Sequence, residues 1–435
     1  MDTIYALSSG LLPSGVAVIR VSGEQTISIL KHFCTKLPLP RKMTLTRLLD
    51  REGYFIDDAL VVYFPTPKSF TGEDCAEFHL HGGKAVVSKF FDELSQFEHC
   101  RMAEPGEFAR RAFSEGKIDL TEAEGLADLI EAETESQRRL AIMGSSGELA
   151  RLYRQWRDEI IRARALIEAE LDFSDESDVP GSVSHTIWGD VERLNKEITH
   201  YIEAGERAGA MRDGLKIVIA GAPNAGKSSI INKLSGRSVA IVTDEAGTTR
   251  DVIEVRLNIA GLPVMITDTA GLRETENQIE KIGIEKAYDR MMEADLILLL
   301  EDMHNPQPIL LPEVKAQIWH IGNKQDLGSG DLSRWPIQLS VKSGFGFDDF
   351  IKKLESFCLE HSVKIGEAVP ARKRQIMLLK QAVTQLQNVL LIDEQHLELR
   401  AEHLRLASDF LGRITGDIDV EDLLDVIFSE FCIGK

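Results

Sequence analysis

The stretch Leu215-Lys216-Ile217-Val218-Ile219-Ala220-Gly221-Ala222-Pro223-Asn224-Ala225-Gly226-Lys227-Ser228-Ser229-Ile230-Ile231 decides the fold. LKIVIAG reads as a buried strand, GAPNAGKS fits GxxxxGK[ST], and SSIINKL opens a helix. The glycines let backbone N–H groups turn inward around a phosphate at a helix N-terminus. Lys227 then reaches the outer phosphates and the Ser228 hydroxyl is placed to hold Mg2+. Strand, turn and helix follow one another in the order that this motif requires.

Outward from that stretch, apolar runs at 252–271, 294–301 and 318–326 alternate with helical segments, which predicts a parallel or mixed sheet flanked by helices. Residues 1–117 carry strand-like runs, GVAVIRVSG (15–23) and ALVVYF (59–64), between turn-rich segments, and read as an α+β domain. From Leu120 the spacing becomes helical: LTEAEGLADLIEAETESQRRLAIMG and ELARLYRQWRDEIIRARALIEAELDF predict two long helices. An acidic Pro/Gly loop at 174–182 precedes a third helix, and helical spacing returns after residue 355. The predicted architecture is a helical domain made of two separated stretches with an α/β domain inserted between them. The ends of such an insert lie close together. The predicted segments are 1–117, 118–213 (first helical part), 214–355 (nucleotide-binding domain) and 356–435 (second helical part).

With 435 residues the chain is long enough for about three domains at ~150 residues each. No run approaches the ~20 apolar residues of a membrane span. The N-terminal MDTIYALSSGLLPSG carries an acid and no Lys or Arg, the wrong pattern for a secretory signal. Cys34, Cys75, Cys100, Cys358 and Cys432 are scattered and show no CxxC spacing, which predicts neither a disulfide framework nor a zinc site and fits a reducing cytoplasm. The 50 basic and 70 acidic residues give a formal charge of -20, which disfavours nonspecific phosphate binding. Any RNA contact is expected to be local, or supplied by a partner.

Three further elements follow in the order that a guanine-nucleotide site needs. Asp268-Thr269-Ala270-Gly271 ends a strand, so the carboxylate can approach Mg2+ while the Gly271 N–H faces the γ-phosphate. Asn323-Lys324-Gln325-Asp326 ends another, and the acceptor-only carboxylate of Asp326 suits the paired N–H donors of a guanine edge. Ser340-Val341-Lys342 stands where the last base-contacting loop is expected. Together with Asn224, Ala225, Gly226, Lys227, Ser228 and Ser229 these make GTP the expected ligand. Gly247-Thr248-Thr249-Arg250-Asp251 is the candidate switch, whose Thr249 hydroxyl ligates Mg2+ only while the γ-phosphate is present. Leu272 follows the DTAG motif where Ras has a water-orienting Gln. Glu280 is either the replacement for that Gln or a solvated acid opening a helix. Asn224 is either a turn-former or, with backbone carbonyls of VTDEAGTT, a ligand for a monovalent cation.

The whole chain resembles the MnmE (TrmE) family of tRNA-modification GTPases. Three signatures outside the nucleotide motifs carry the resemblance: Thr71-Gly72-Glu73-Asp74 leading to Glu77 and His81-Gly82-Gly83; Pro105-Gly106-Glu107-Phe108 leading to Ala112-Phe113 and Lys117-Ile118-Asp119-Leu120; and the ending Phe431-Cys432-Ile433-Gly434-Lys435. The resemblance implies an α+β folate-binding and dimerising N-terminal domain, a discontinuous helical domain and an inserted Ras-like P-loop domain. It also implies a homodimer in the cytoplasm that works with an FAD-dependent partner, MnmG. Together they place aminomethyl or carboxymethylaminomethyl groups on C5 of the wobble uridine of certain tRNAs. The one-carbon unit comes from a tetrahydrofolate derivative, 5-formyl or 5,10-methylene. Hydrolysis in the family is potassium-stimulated, with K+ at the positions of Asn224, Thr243, Glu245 and Thr248, and Glu280 matches the water-activating acid. Arg20, Glu77, Lys117 and Lys435 match folate-binding positions. Cys432 is either a reactive thiol or an inert one; Gly434 and Lys435 do not fit a prenylation box.

Some positions depart from the family pattern. Glu245 replaces an apolar residue, Val341 stands where Ala is commoner, and the segment before Arg20 carries fewer glycines. The competing expectation is a GTPase switch for rRNA or assembling ribosomes without modification chemistry. The N-terminal signatures and the CIGK ending weigh against it, as does the absence of a basic tail.

Overall fold

The computed structural model describes residues 2–172, 184–237, 254–268, 287–307, 309, 311–328, 334–361, 368–393, 396–418 and 421–434. These fall into two compact units, one of Met1–Ala127, Ser145–Ile187 and Asn388–Lys435, the other of Asp128–Gly144 and Trp188–Gln387.

In the first unit six strands, β1 (Thr3–Leu7), β2 (Ser14–Ser22), β3 (Thr44–Leu49), β4 (Phe55–Phe64), β5 (Cys75–Gly82) and β6 (Cys100–Met102), form one sheet in the order β3-β4-β5-β2-β1-β6. All neighbours are antiparallel except β1 and β6. Alternation along the strands sorts the side chains. Ala17, Ile19 and Val21 of β2 and Ala76, Phe78 and Leu80 of β5 are buried in a core with α1 (Thr26–Phe33) and α2 (Lys84–Leu94), through Ile29, Leu30, Phe33, Val87, Phe90 and Leu94. The alternate positions, Arg20 on β2 with Glu77, His79 and His81 on β5, therefore share the opposite face.

After α3 (Glu107–Ser114), α4 (Leu120–Glu131) begins in this unit. α6 (Glu148–Asp172) buries Leu149, Tyr153, Trp156, Ile160, Ala163 and Ile167, an alternating four-and-three step that makes a coiled-coil-like seam. It packs against α11 (Leu397–Thr415), which buries Leu404, Ala407, Leu411 and Ile414. α12 (Glu421–Ser429) sets Ile427 and Phe428, together with Phe431, into a cluster with Ala109, Leu120 and Ala123.

The expected first long helix is broken. α4 stops at Glu131 and α5 spans Glu135–Gly144. The cause is a capping box, Thr134-Glu135-Ser136-Gln137. The Gln137 Oε1 accepts the backbone N–H groups of Glu133 and Thr134, both at 3.0 Å, and the Thr134 Oγ1 accepts that of Gln137 at 3.3 Å. Helical periodicity continues across the break, which is why spacing alone reads through it.

The second unit holds β7 (Leu215–Gly221), β8 (Glu254–Ile259), β9 (Leu262–Asp268), β10 (Leu296–Asp302), β11 (Gln317–Asn323) and β12 (Ile337–Gln338), ordered β12-β11-β10-β7-β9-β8. Every pair is parallel except the β8–β9 hairpin. α7 (Ser184–Asp213) leads into β7, α8 (Lys227–Arg237) leaves the phosphate loop, and α9 (Phe347–Glu360) covers the sheet with Phe347, Phe350, Leu354 and Phe357. α10 (Lys373–Leu391) takes the chain out.

The two ends of the inserted sheet domain meet at one carboxylate. Asp128, on the last turn of α4, accepts from Arg212 Nε at 2.8 Å, just before β7, and from Arg372 Nη2 at 2.8 Å, just before α10. A Cβ at Gly205 of α7 would lie 2.6 Å from the Pro370 carbonyl, so only glycine allows this close approach. Removing one partner of a buried ion pair strands the other charges, at a cost of about 3 kcal/mol. Asp128→Ala is therefore expected to lower the unfolding free energy of this unit by that amount, as extrapolated from urea curves followed by tryptophan fluorescence, whereas a truncation of exposed Asp349 should leave it unmoved.

Candidate functional site

The phosphate loop is held by backbone approach. Gly221 ends β7 opposite Leu300 of β10, and a Cβ there would sit 2.4 Å from the Leu300 carbonyl oxygen. Asn224 (φ 65°) and Gly226 (φ 104°) take the left-handed region that the turn demands. A Cβ on Gly226 would meet Asn323 Nδ2 at 2.3 Å. Asn323, buried at the end of β11, donates from that nitrogen to the Ala225 carbonyl at 2.8 Å and accepts the Val341 N–H at 3.2 Å. One side chain thus joins the phosphate loop to the loop of Ser340, Val341 and Lys342. Lys233 of α8 adds a second tie, donating to the Val341 carbonyl at 2.6 Å. The Ser340 hydroxyl donates to Asp326 Oδ1 at 2.6 Å, which holds the Asp326 carboxyl below its ordinary range and leaves an exposed, ionised acceptor. Lys324, in a left-handed turn, places Nζ 2.6 Å from Asp302.

Lys227 is buried and folds over the loop, donating to the carbonyls of Gly221 (2.7 Å) and Ala222 (3.1 Å). Burial lowers its pKa, and nearby Asp268 opposes that shift. Asp268 is 1% exposed; its Oδ2 accepts the Ser228 hydroxyl at 3.2 Å, while Oδ1 is buried without a hydrogen-bond partner. Burial raises its pKa against the pull of Lys227 and Ser228. An orphaned carboxylate oxygen beside a serine hydroxyl is the donor set of a hard, oxygen-seeking cation, so these residues fit Mg2+. Ala225 is buried and Ser229 exposed on the first turn of α8. Thr243, Glu245, Thr248, Thr249, Thr269, Ala270, Gly271, Glu280 and Lys435 lie outside the described residues.

The first unit carries a separate polar site. Arg20 and Glu77 pair at 3.0 Å, one-fifth exposed, and the guanidinium lies 5.5 Å from the Phe70 ring centroid and 5.7 Å from that of Phe108. His79 Nε2 stands 3.6 Å from Glu77 Oε2, buried and without a hydrogen-bond partner. Lys117 is exposed, and its stem approaches Gly72, where a Cβ would meet the lysine Cε at 3.0 Å. The end of the chain docks onto the same domain: Ile433 bridges to Pro105, the Gly434 carbonyl accepts the Ser8 hydroxyl at 2.9 Å, and a Cβ on Gly434 would strike the Leu7 carbonyl at 2.2 Å. Cys432 is exposed there, whereas burial pushes the thiols of Cys34 and Cys100 up to about 11 and that of Cys358 to about 12.

Two family models match the chain, the TrmE N-terminus of GTP-binding proteins over residues 3–117 and the MnmE helical domain over residues 120–432. The tRNA modification GTPase MnmE of Bartonella tribocorum is 63% identical over 435 residues, covering all of both chains. That of Brucella canis is 56% identical over 434 residues, covering 100% of this chain and 98% of its own. The chain belongs to the MnmE family of tRNA-modification GTPases. Among solved structures, the G domain of the T. maritima FeoB iron transporter overlaps 34% of this chain and 98% of its own at 25% identity, with a TM-score of 0.26.

In this MnmE-family chain most signature residues frame the sites. Glu73 accepts the Ser22 hydroxyl at 2.6 Å and Arg111 Nη1 at 3.1 Å; Asp74 accepts the Tyr63 hydroxyl at 2.7 Å. Glu107 takes Arg101 (2.7 Å) and Arg111 (2.9 Å), and His81 Nδ1 lies 2.7 Å from buried Asp57. His79, Phe70 and Phe108 escaped assignment from sequence, although the two-residue step Glu77-Phe78-His79 places both polar side chains on one face.

A buried, unpaired carboxylate costs stability until a cation arrives. A native carboxyl whose pKa is raised binds more protons than the unfolded chain, so its contribution to stability falls as pH rises through the window above the ordinary carboxyl value. Asp268→Asn is therefore expected to raise the melting temperature of the nucleotide-free protein at pH 8, with a smaller gain at pH 4.5. It should also remove most of the Mg2+-dependent stabilisation by GDP, as read by differential scanning fluorimetry.

Proposed function

We propose that this chain is the homodimeric, potassium-stimulated GTPase of a tRNA-modifying pair. With an FAD-dependent partner of the MnmG type, it adds aminomethyl or carboxymethylaminomethyl groups to C5 of wobble uridine, drawing the carbon from a tetrahydrofolate derivative, in the cytoplasm. The observation that carries this reading is the presence, in one chain, of a guanine-nucleotide frame and a separate polar cluster in which Arg20 pairs with Glu77 beside His79 and lies against the rings of Phe70 and Phe108. A nucleotide switch alone has no use for the second. Residues 1–117, 118–213, 214–355 and 356–435 serve in this account as the folate, first helical, GTPase and second helical segments.

The Asp326 carboxylate, held ionised by Ser340, accepts the paired donors of guanine and rejects adenine. Lys227 leaves the carbonyls of Gly221 and Ala222 for the β- and γ-phosphates, which replace those acceptors with charged ones. Ser228 and Asp268, with Thr249, would hold Mg2+, which supplies positive charge to the phosphate oxygens. Asn224, with Thr243, Glu245 and Thr248, would hold K+. Glu280 orients the attacking water where Leu272 cannot, and loss of the γ-phosphate frees the Gly247–Asp251 segment.

In the first unit, Glu77 pairs with the amide and amine donors of a pterin, and the unpartnered His79 Nε2 supplies a further polar contact. Lys117 and Lys435 suit the glutamate tail by charge. Cys432, exposed at the docked chain end, is the thiol nearest in sequence to that tail partner.

Nucleoside mass spectrometry of tRNA from cells lacking this protein should show loss of the C5 modifications and their return on complementation; an unchanged profile with the partner present contradicts the reading. Purified Arg20→Ala should bind 5-formyltetrahydrofolate at least about tenfold more weakly by calorimetry, as loss of a charge-assisted contact implies, with GTP hydrolysis unchanged.

A further inference from the structure

The β8–β9 hairpin lies between the two segments that carry the expected switch residues: β8 starts at Glu254, directly after Gly247–Asp251, and β9 ends at Asp268, directly before Thr269. Its turn is gripped by α5 (Glu135–Gly144). The Ser136 hydroxyl donates to the carbonyl of Gly261, the left-handed turn residue (φ 82°). Arg256 of β8 lies 3.6 Å from Glu133, at the start of α5. Leu140 of α5 is buried in one core with Leu257, Leu262, Val264 and Ile266 of the hairpin.

α5 is itself fixed to the frame of the insert. Gln137 Nε2 donates to the Arg212 carbonyl at 2.9 Å while its Oε1 caps the helix, and Arg212 is bound to Asp128. These polar contacts flank the core contact of Leu140. A cleft of about 750 Å³ runs beside them, lined by Asp128, Glu133, Gln137, Arg212, Arg256 and Met265. Ser136, Glu133 and Leu140 thus hold the hairpin at its turn and along its outer strand, while the ladder to β7 holds its inner strand. β9 is hydrogen-bonded on both edges, to β7 over Val264–Asp268 and to β8 over Leu262–Thr267, so a constraint at the Gly261 turn is carried along the strand toward Asp268.

We propose that Ser136 and Glu133 are positioning residues for GTP turnover, acting through the β8–β9 hairpin, and that Gln137 is the link that fixes α5 while they do so. α5 holds the far end of the strand whose near end is Asp268, the carboxylate that suits Mg2+, and so biases where that carboxylate stands during turnover. The inference rests on the GTPase activity alone and is independent of the folate and tRNA chemistry.

The test uses the full-length protein with Mg2+ and K+, measuring kcat and KM for GTP, the Kd of fluorescent GDP, and the melting temperature. Ser136→Ala should lower kcat about fivefold, the lower end of ordinary coupling, while GDP affinity stays within about twofold. Ser136→Thr, which keeps the hydroxyl, should retain turnover. Glu133→Arg and Arg256→Glu should each lower kcat, and the double charge swap should restore it. Unchanged kcat in all single variants overturns the proposal. So does a joint fall of kcat, GDP affinity and melting temperature that the double swap does not rescue, because that is the behaviour of residues that merely hold the fold. Wild-type turnover in the same assay reports separately on the GTPase reading.

Discussion

A domain inserted into another keeps its own fold only if the chain leaves and returns at nearly one point, and here Asp128 enforces that closure. Its carboxylate accepts from Arg212, which precedes the first strand of the insert, and from Arg372, which follows its last helix. The sheet, its central β7 and the phosphate loop at the end of that strand all hang from this junction. The same junction gives α5 its footing, through the bond of Gln137 to the Arg212 carbonyl. A constraint needed for topology therefore also fixes one end of the lever that reaches the nucleotide site.

The nucleotide site shows how an apparently modular set of motifs is one object. The Asn323 side chain fills the space that Gly226 leaves by lacking a Cβ, and from there it bonds both the phosphate loop and the base-reading loop. Ser340 reaches back to orient Asp326. The two loops are thus mechanically linked, while burial shifts Asp268 and Lys227 toward their neutral forms and each charge opposes the other's shift. The polar site of the first unit follows a different logic. Its carboxylate and guanidinium neutralise one another, with the guanidinium against the Phe70 and Phe108 rings, so the pair carries no net charge.

Much of this was legible in the residues. LKIVIAG matches β7 end to end, the run at 252–271 contains β8 and β9, and the runs at 294–301 and 318–326 overlap all but one residue of β10 and β11, because buried strands are short, apolar and bounded by turns. Of the motif residues, Asn323 bonds the loops of Ala225 and Val341, and Ser340 bonds Asp326. What escaped was tertiary or local. The break at 132–134 is written as a four-residue capping box within an uninterrupted helical period. His79 lacks a motif of its own and acquires meaning only once β5 places it beside Glu77 and the Arg20 pair. The grip of Ser136 on Gly261 joins residues 125 apart in sequence, beyond the reach of any local pattern.

One hairpin carries both Asp268, the carboxylate proposed for Mg2+, and the turn held by α5, so nucleotide state is expected to be felt at that helix. Amide hydrogen exchange across residues 133–144, in the full-length protein loaded with Mg2+ and either GDP or a non-hydrolysable GTP analogue, measures this directly. The account predicts different protection of α5 in the two states, with the change continuing into 254–268. Identical exchange of α5 in both states, with 254–268 responding alone, would contradict it.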